Sequence, residues 1–160
     1  MFIESLSKLK NKYPEIKFVA IILGSDQGRN IYKKKLQRLM EQFRLNNEIK
    51  FIDSFNLMPL AYKISDVVVS SSTEPEAFGR VSVEAQAMEK PIIASNIGGS
   101  KETILNDKTG FFFEAGDSDK LSEKIAEIVS LSELTLRGIG AEGRKNVIKK
   151  FNVEKMCFST

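Results

Sequence analysis

The 160-residue sequence predicts an α/β fold, a Rossmann-like and mostly parallel sheet with flanking helices. Three observations carry that expectation. Short apolar runs alternate with longer segments whose apolar residues recur about every 3.6 positions. The β-branched run Asp66-Val67-Val68-Val69-Ser70 reads as a strand buried on both faces. Glycine, proline and polar clusters mark each change of period.

The elements follow in order. Residues 2–12 predict a helix through Phe2, Leu6 and Leu9, ended by Pro14, and Lys17 to Leu23 (KFVAIIL) a buried strand. After the turn from Gly24 to Arg29, a helix is expected over 30–43, with Ile31, Leu36, Leu39, Met40 and Phe43 on its apolar side. A strand at 49–52 and a brief helix opened by Pro59, carrying Leu60, Tyr62, Lys63 and Ile64, lead to the valine strand. Beyond it the pattern predicts a helix at 79–88, a strand at 91–94, a short helix at 100–105 and a strand at 110–113. Two helices close the chain, near 117–130 and 133–151. Asp117 is the expected N-cap of the first, and Leu121, Ile125, Ile128 and Val129 are its apolar stripe.

Composition narrows the chemistry. Hydrophobic residues are 42% and charged residues 28%, ordinary for a globular domain. A net charge of +3, from 24 Lys and Arg against 21 Asp and Glu, gives no argument for nucleic acid. Lys33 to Lys35 and Lys145, Lys149 and Lys150 read as solvated helix faces. The sequence contains no histidine and a single cysteine, Cys157, which disfavours the usual zinc sites and any His-based triad. The longest apolar run, Phe18 to Gly24, is too short to span a bilayer, and Glu4 interrupts any secretory pattern. The expectation is a cytoplasmic protein without a metal.

In such folds ligands gather beyond the carboxyl ends of the strands. Residues 70–84, SSSTEPEAFGRVSVE, occupy that position. Pro75 stiffens the loop and Gly79 removes side-chain bulk, so amides around Ala77, Phe78, Gly79 and Arg80 are available to an anion or a sugar hydroxyl. Glu76 and Glu84 form the sharpest pair, since two carboxylates opening on one crevice suit the vicinal hydroxyls of a ribose or hexose. The plainer alternative has Glu76 at the helix dipole and Glu84 paired with Arg80. Gly98-Gly99, between a strand and a helix, brings amides toward a phosphate or forms an ordinary tight turn. The glycines of Gly24 to Arg29 lack the dinucleotide-binding spacing.

Four segments in order, EAFGRVSVE (76–84), AMEKPIIAS (87–95), GGSKE (98–102) and TGFFFEAGD (109–117), carry a resemblance. They resemble the C-terminal, donor-binding domain of retaining GT-B fold glycosyltransferases (glycosyl transferases group 1), which include sucrose-synthase-like and mannosyltransferase enzymes. Weaker similarity runs over nearly the whole chain, so that residues 1–160 are read as one partial domain of this kind. The resemblance implies that Glu84 binds the ribose hydroxyls of a UDP- or GDP-sugar. Glu76, the one catalytic candidate, would hold the donor sugar ring. Backbone at Phe78, Gly79 and Arg80 would meet sugar or diphosphate oxygens, and Gly98 and Gly99 would shape the sugar side of the cleft. The implied activity is transfer of a hexose to an acceptor hydroxyl with retention, usually without a protein-bound metal.

Departures from the family pattern add further expectations. The family's first strand, with its diphosphate-clamping Arg and Lys, would precede the helix at Phe2. In the order 3-2-1-4-5-6 that strand is central, between KFVAIIL and DVVVS, so its absence predicts a gap in the sheet. Asp53 stands where the family has glycine, Leu57 where it has an acid, and Glu89 where it has a helix-ending glycine. The C-terminus at Thr160 is early for the family's long last helix. An acceptor-binding N-terminal domain is expected as partner, on a separate chain or lost, with contact to the inner face of the membrane through it. No catalysis is expected of the isolated chain. The alternative is a non-catalytic relic or interaction domain that self-associates through the gap.

Overall fold

The computed structural model describes residues 1–24, 30–52 and 57–151. Ser25 to Arg29 of the first glycine turn, Asp53 and Cys157 lie outside the described residues. The described elements are α1 (Phe2–Lys12), β1 (Ala20–Leu23), α2 (Asn30–Gln42), β2 (Ile49–Ile52), α3 (Met58–Ile64) and β3 (Val68–Ser70), then α4 (Arg80–Ala87), β4 (Ile92–Ser95), α5 (Ser100–Thr103), β5 (Phe111–Phe113), α6 (Ser118–Val129) and α7 (Glu133–Lys150).

All described strand pairs are parallel, as alternation of strand and helix requires. They form two sheets, β1-β2 and β3-β4-β5, with no described ladder joining β1 to β3. The interruption falls where the sequence predicts a gap. It also corrects two expectations. Of Lys17 to Leu23 only Ala20 to Leu23 is strand, and β3 is half-buried, not buried on both sides. A strand with one open edge lacks the neighbour that would extend its ladder and cover its side chains. β4, paired on both sides, is buried throughout.

The period of two in β4 and β5 divides the core. Ile93, Phe111 and Phe113 face Ile3, Leu6 and Leu9 of α1, Met40 of α2, and Leu121, Ile125 and Ile128 of α6. Ile92 and Ala94 face Tyr62, Ala85 and Ile104 on the other side. Each fully buried Leu or Ile contributes about 1.5–3 kcal/mol. Val129, expected in the α6 stripe, is 38% exposed instead, because the stripe turns away from the core at the last turn. Asp117 caps α6 as expected, accepting from the amides of Asp119 and Lys120 at 2.9 Å. Asp117→Ala is therefore expected to cost about 1 kcal/mol, seen as a lower urea midpoint at unchanged m-value.

Lys8 and Lys12 of α1 reach Asp119 of α6 at 2.6 and 3.1 Å. Their hydrogen bonds hold the Asp119 carboxyl below its ordinary range. The clamp is intact above that range and is released as pH falls through the lowered value.

On the opposite layer α7 lies against α4 through glycines. A Cβ at Gly140 would stand 2.0 Å from the Glu89 carbonyl oxygen, and one at Gly143 would stand 3.0 Å from Gln86 Cγ. Glu89 has φ +57, the left-handed turn expected where the family has glycine, at a cost of roughly 1 kcal/mol. Buried Gln86 donates to the carbonyls of Ser82 (3.0 Å) and Thr103 (2.9 Å), and Asn146 of α7 donates to Gln86 Oε1 (3.1 Å) and Thr103 O (3.0 Å). This network fixes α4, and with it the helix start where the candidate residues converge.

Candidate functional site

The site forms where β3 and β4 end and α4 begins. Gly79 stands at the N-cap of α4 with φ +72, a conformation that side chains disfavour. Its carbonyl accepts from the Ser82 amide at 3.0 Å. The amides of Arg80 and Val81, ahead of that bond, have no acceptor within the helix and are the natural donors to an anion.

The loop that follows β4 seats itself against this turn. Gly99 N–H donates to Glu76 O at 2.8 Å. A Cβ on Gly99 would lie 2.5–2.7 Å from the Phe78 backbone, and one on Gly98, at φ +55, would lie 2.6 Å from Glu76 O. Gly98 and Gly99 are thus required for backbone-to-backbone contact between the two loops. An ordinary tight turn would need only one of them.

Between the loops lies a narrow cleft lined by Ser70, Ser72, Glu76, Gly79, Ser82, Ser95, Ile97 and Ser100. Glu76 accepts a short hydrogen bond from the Ser72 hydroxyl. Ser100 Oγ donates to the carbonyl of Ser95 at 2.7 Å. The hydroxyls of Ser82 and Ser95 are buried in the cleft wall without a protein partner. Sequence reading missed these serines as a group. The SSS run at 70–72 was the available signal, but 82, 95 and 100 join it only through the fold.

Glu84 does not line that cleft. It lies one turn into α4, half-exposed, where its Oε2 accepts from Tyr62 Oη at 2.8 Å. Its Oε1 accepts from Arg80 at 3.1 Å, so the plainer pairing of Arg80 with Glu84 is realised. Burial, together with the adjoining carboxylate, pushes the Tyr62 phenol far up, so it remains a donor. In the sequence Tyr62, 22 positions away, reads only as one residue of the brief helix opened by Pro59.

Phe78 turns its ring to Phe151, edge to face at 5.6 Å, leaving its backbone toward the Gly99 loop. The Arg80 side chain is 83% exposed beyond its contact with Glu84. Among the described residues no group of three His, Cys, Asp or Glu side chains gathers as metal ligands. No helix among them is long and apolar enough to cross a membrane.

The sequence profile of the glycosyl transferases group 1 family matches residues 1–146. This chain belongs to that family. A glycosyltransferase from Rickettsia africae ESF-5 shares 34% identity and superposes with a TM-score of 0.92 over 99% of this chain and 41% of its own. HepE of Anabaena, solved in complex with UDP-glucose, is 27% identical with a TM-score of 0.89, covering 99% of this chain and 42% of that one. The C-terminal domain of a Francisella tularensis group 1 protein, LpcC, is 29% identical with a TM-score of 0.81 over 95% of this chain and 78% of its own. The group 1 domain described here spans about a third of the length of the curated relatives it matches. Its architecture is that of the C-terminal part of a GT-B fold.

Proposed function

We propose that this group 1 domain binds a UDP- or GDP-linked sugar as the donor half of a retaining hexosyltransferase. The observation that carries the reading is the backbone lock between the Glu76–Arg80 turn and Gly98-Gly99. It sets a helix start and Glu76 beside a serine-lined cleft at the ends of parallel strands, with Glu84 one turn along α4. The neighbour HepE, solved with UDP-glucose, supports a nucleotide-sugar ligand.

In this reading Glu84 grips the ribose hydroxyls and Glu76 orients the sugar ring. Amides of Phe78, Gly79 and Arg80 receive sugar or diphosphate oxygens, and Gly98 and Gly99 bound the sugar side. Charge on the departing diphosphate is stabilised by oriented dipoles, so the chemistry consists mostly of positioning. Transfer needs an acceptor-binding domain in addition, from the same protein or another chain, and that partner would supply any contact with the cytoplasmic face of a membrane. These residues alone are expected to bind donor without transferring it.

Titration calorimetry with UDP-glucose and GDP-mannose tests the reading. Binding to one of them is expected, and Glu84→Ala should weaken it about tenfold, as loss of charge-assisted bonds to a diol implies. No heat with either ligand, or unchanged affinity in the variant, overturns the assignment of Glu84. A second reading, self-association by strand uptake, is favoured by the open edges of β1 and β3. Sedimentation of a purely monomeric, well-folded chain would count against it.

A further inference from the structure

Glu84 can hold a ribose only if its carboxylate is presented in a fixed plane, and the residue that fixes it comes from another helix. Tyr62 stands on α3 with its ring buried to 6% exposure among Ala85, Ile92, Ala94 and Ile104. Its hydroxyl emerges from that cluster and donates to Glu84 Oε2 at 2.8 Å. The other oxygen, Oε1, faces Arg80, an exposed side chain one turn back on the same helix. The two contacts differ in kind. The phenol is anchored in the core and has few rotamers, whereas the guanidinium sits on a long stem in solvent, where such pairs are weak. A carboxylate offers about four acceptor positions, so one bond to each oxygen leaves room for a vicinal diol.

We propose that Tyr62 is a positioning residue for nucleotide recognition: its buried hydroxyl orients the Glu84 carboxylate so that both oxygens meet the ribose diol. This rests on the reading of Glu84 as the ribose-binding group. Without the phenolic hydroxyl, Arg80 is left as the only described side-chain partner of Glu84 and draws the carboxylate toward the exposed side of α4. Selectivity for ribose then falls even though the acid itself remains.

Tyr62→Phe keeps the ring and its apolar contacts and removes only the hydroxyl. The measurement is the affinity for UDP and for 2′-deoxy-UDP, or for GDP and 2′-deoxy-GDP if the protein binds guanine nucleotides, in the wild type, Tyr62→Phe and Glu84→Ala. The wild type is expected to prefer the ribonucleotide about tenfold, the Glu84 variant to show no preference, and the Tyr62 variant to fall to about threefold or less. Thermal melting of the Tyr62 variant should stay within a few degrees of the wild type. A Tyr62 variant that keeps the full preference, or that weakens both ligands equally, overturns the inference while leaving the ribose reading intact. A wild type without preference, or a Glu84 variant that retains it, overturns the ribose reading itself, and the role of Tyr62 falls with it.

Discussion

Gly140→Ala is expected to lower the melting temperature by roughly 5–10 °C, while Gly138→Ala, two residues earlier on α7, raises it by about 2 °C. The added methyl is the same; what it meets differs. At Gly140 it would stand 2.0 Å from the carbonyl oxygen of Glu89 and 2.6 Å from its carbonyl carbon. Neither group is the flexible end of a side chain. Glu89 is held at φ +57, and Arg144 of α7 donates to the neighbouring Ala87 carbonyl, so the turn cannot withdraw from α7 without breaking that bond. Relief therefore requires α7 to lift from α4, loosening Asn146 from Gln86 and Thr103 as well. Overpacking of this kind costs about 2–3 kcal/mol, and more where backbone must move. At Gly138 nothing lies within 4 Å, so only the gain in helix propensity remains, about 1 kcal/mol at most. Calorimetric melts of the two variants give the signs directly. Equal shifts would mean that α7 does not rest on the Glu89 turn.

That contact also marks the limit of what the sequence discloses. Periodicity located every described element, because amphipathic helices and apolar strands obey local rules that tertiary packing here reinforces. The resemblance singled out two loops that the structure brings into backbone contact, and the observed turn at Gly79 and the paired glycines explain why those residue types occur there. Partnerships across elements were not legible. Tyr62 and Glu84 meet because α3 and α4 share one face of β4. Gln86 and Asn146, 60 positions apart, are buried as each other's partners, which no local pattern announces. Glycine at 140 and 143 within an otherwise helical stretch was the available hint, since glycine there costs helix stability unless close approach requires it. Strand length was misjudged for a different reason. Lys17 to Val19 has strand composition, but ladder formation depends on a neighbour, and β1 has one on one side only among the described residues.

Gly99→Ala is expected to weaken donor binding at least tenfold while leaving the α4–α7 packing in place. The substitution is permitted by backbone angles, since the residue has φ −63 and ψ −16, so any effect comes from space alone. The new Cβ would lie 2.5–2.7 Å from the carbonyl carbon, Cα and oxygen of Phe78. To make room, the loop after β4 must move away from the Phe78–Gly79 turn, and the 2.8 Å bond from Gly99 N–H to Glu76 O lengthens or breaks. Glu76 then loses the anchor of its backbone. The amides at the start of α4 lose their fixed relation to the serine-lined cleft. Oriented dipoles stabilise charge only while they are held in place, so a displacement of about 1 Å is costly to binding and catalysis alike. A tenfold loss corresponds to about 1.4 kcal/mol. Calorimetric titration with the nucleotide sugar that the wild type binds, alongside a far-UV melt, separates loss of the site from loss of the fold. Unaltered affinity in a folded Gly99→Ala protein would place the donor elsewhere than against this turn, because no bound sugar contacting Phe78 and Gly79 could remain indifferent to their displacement.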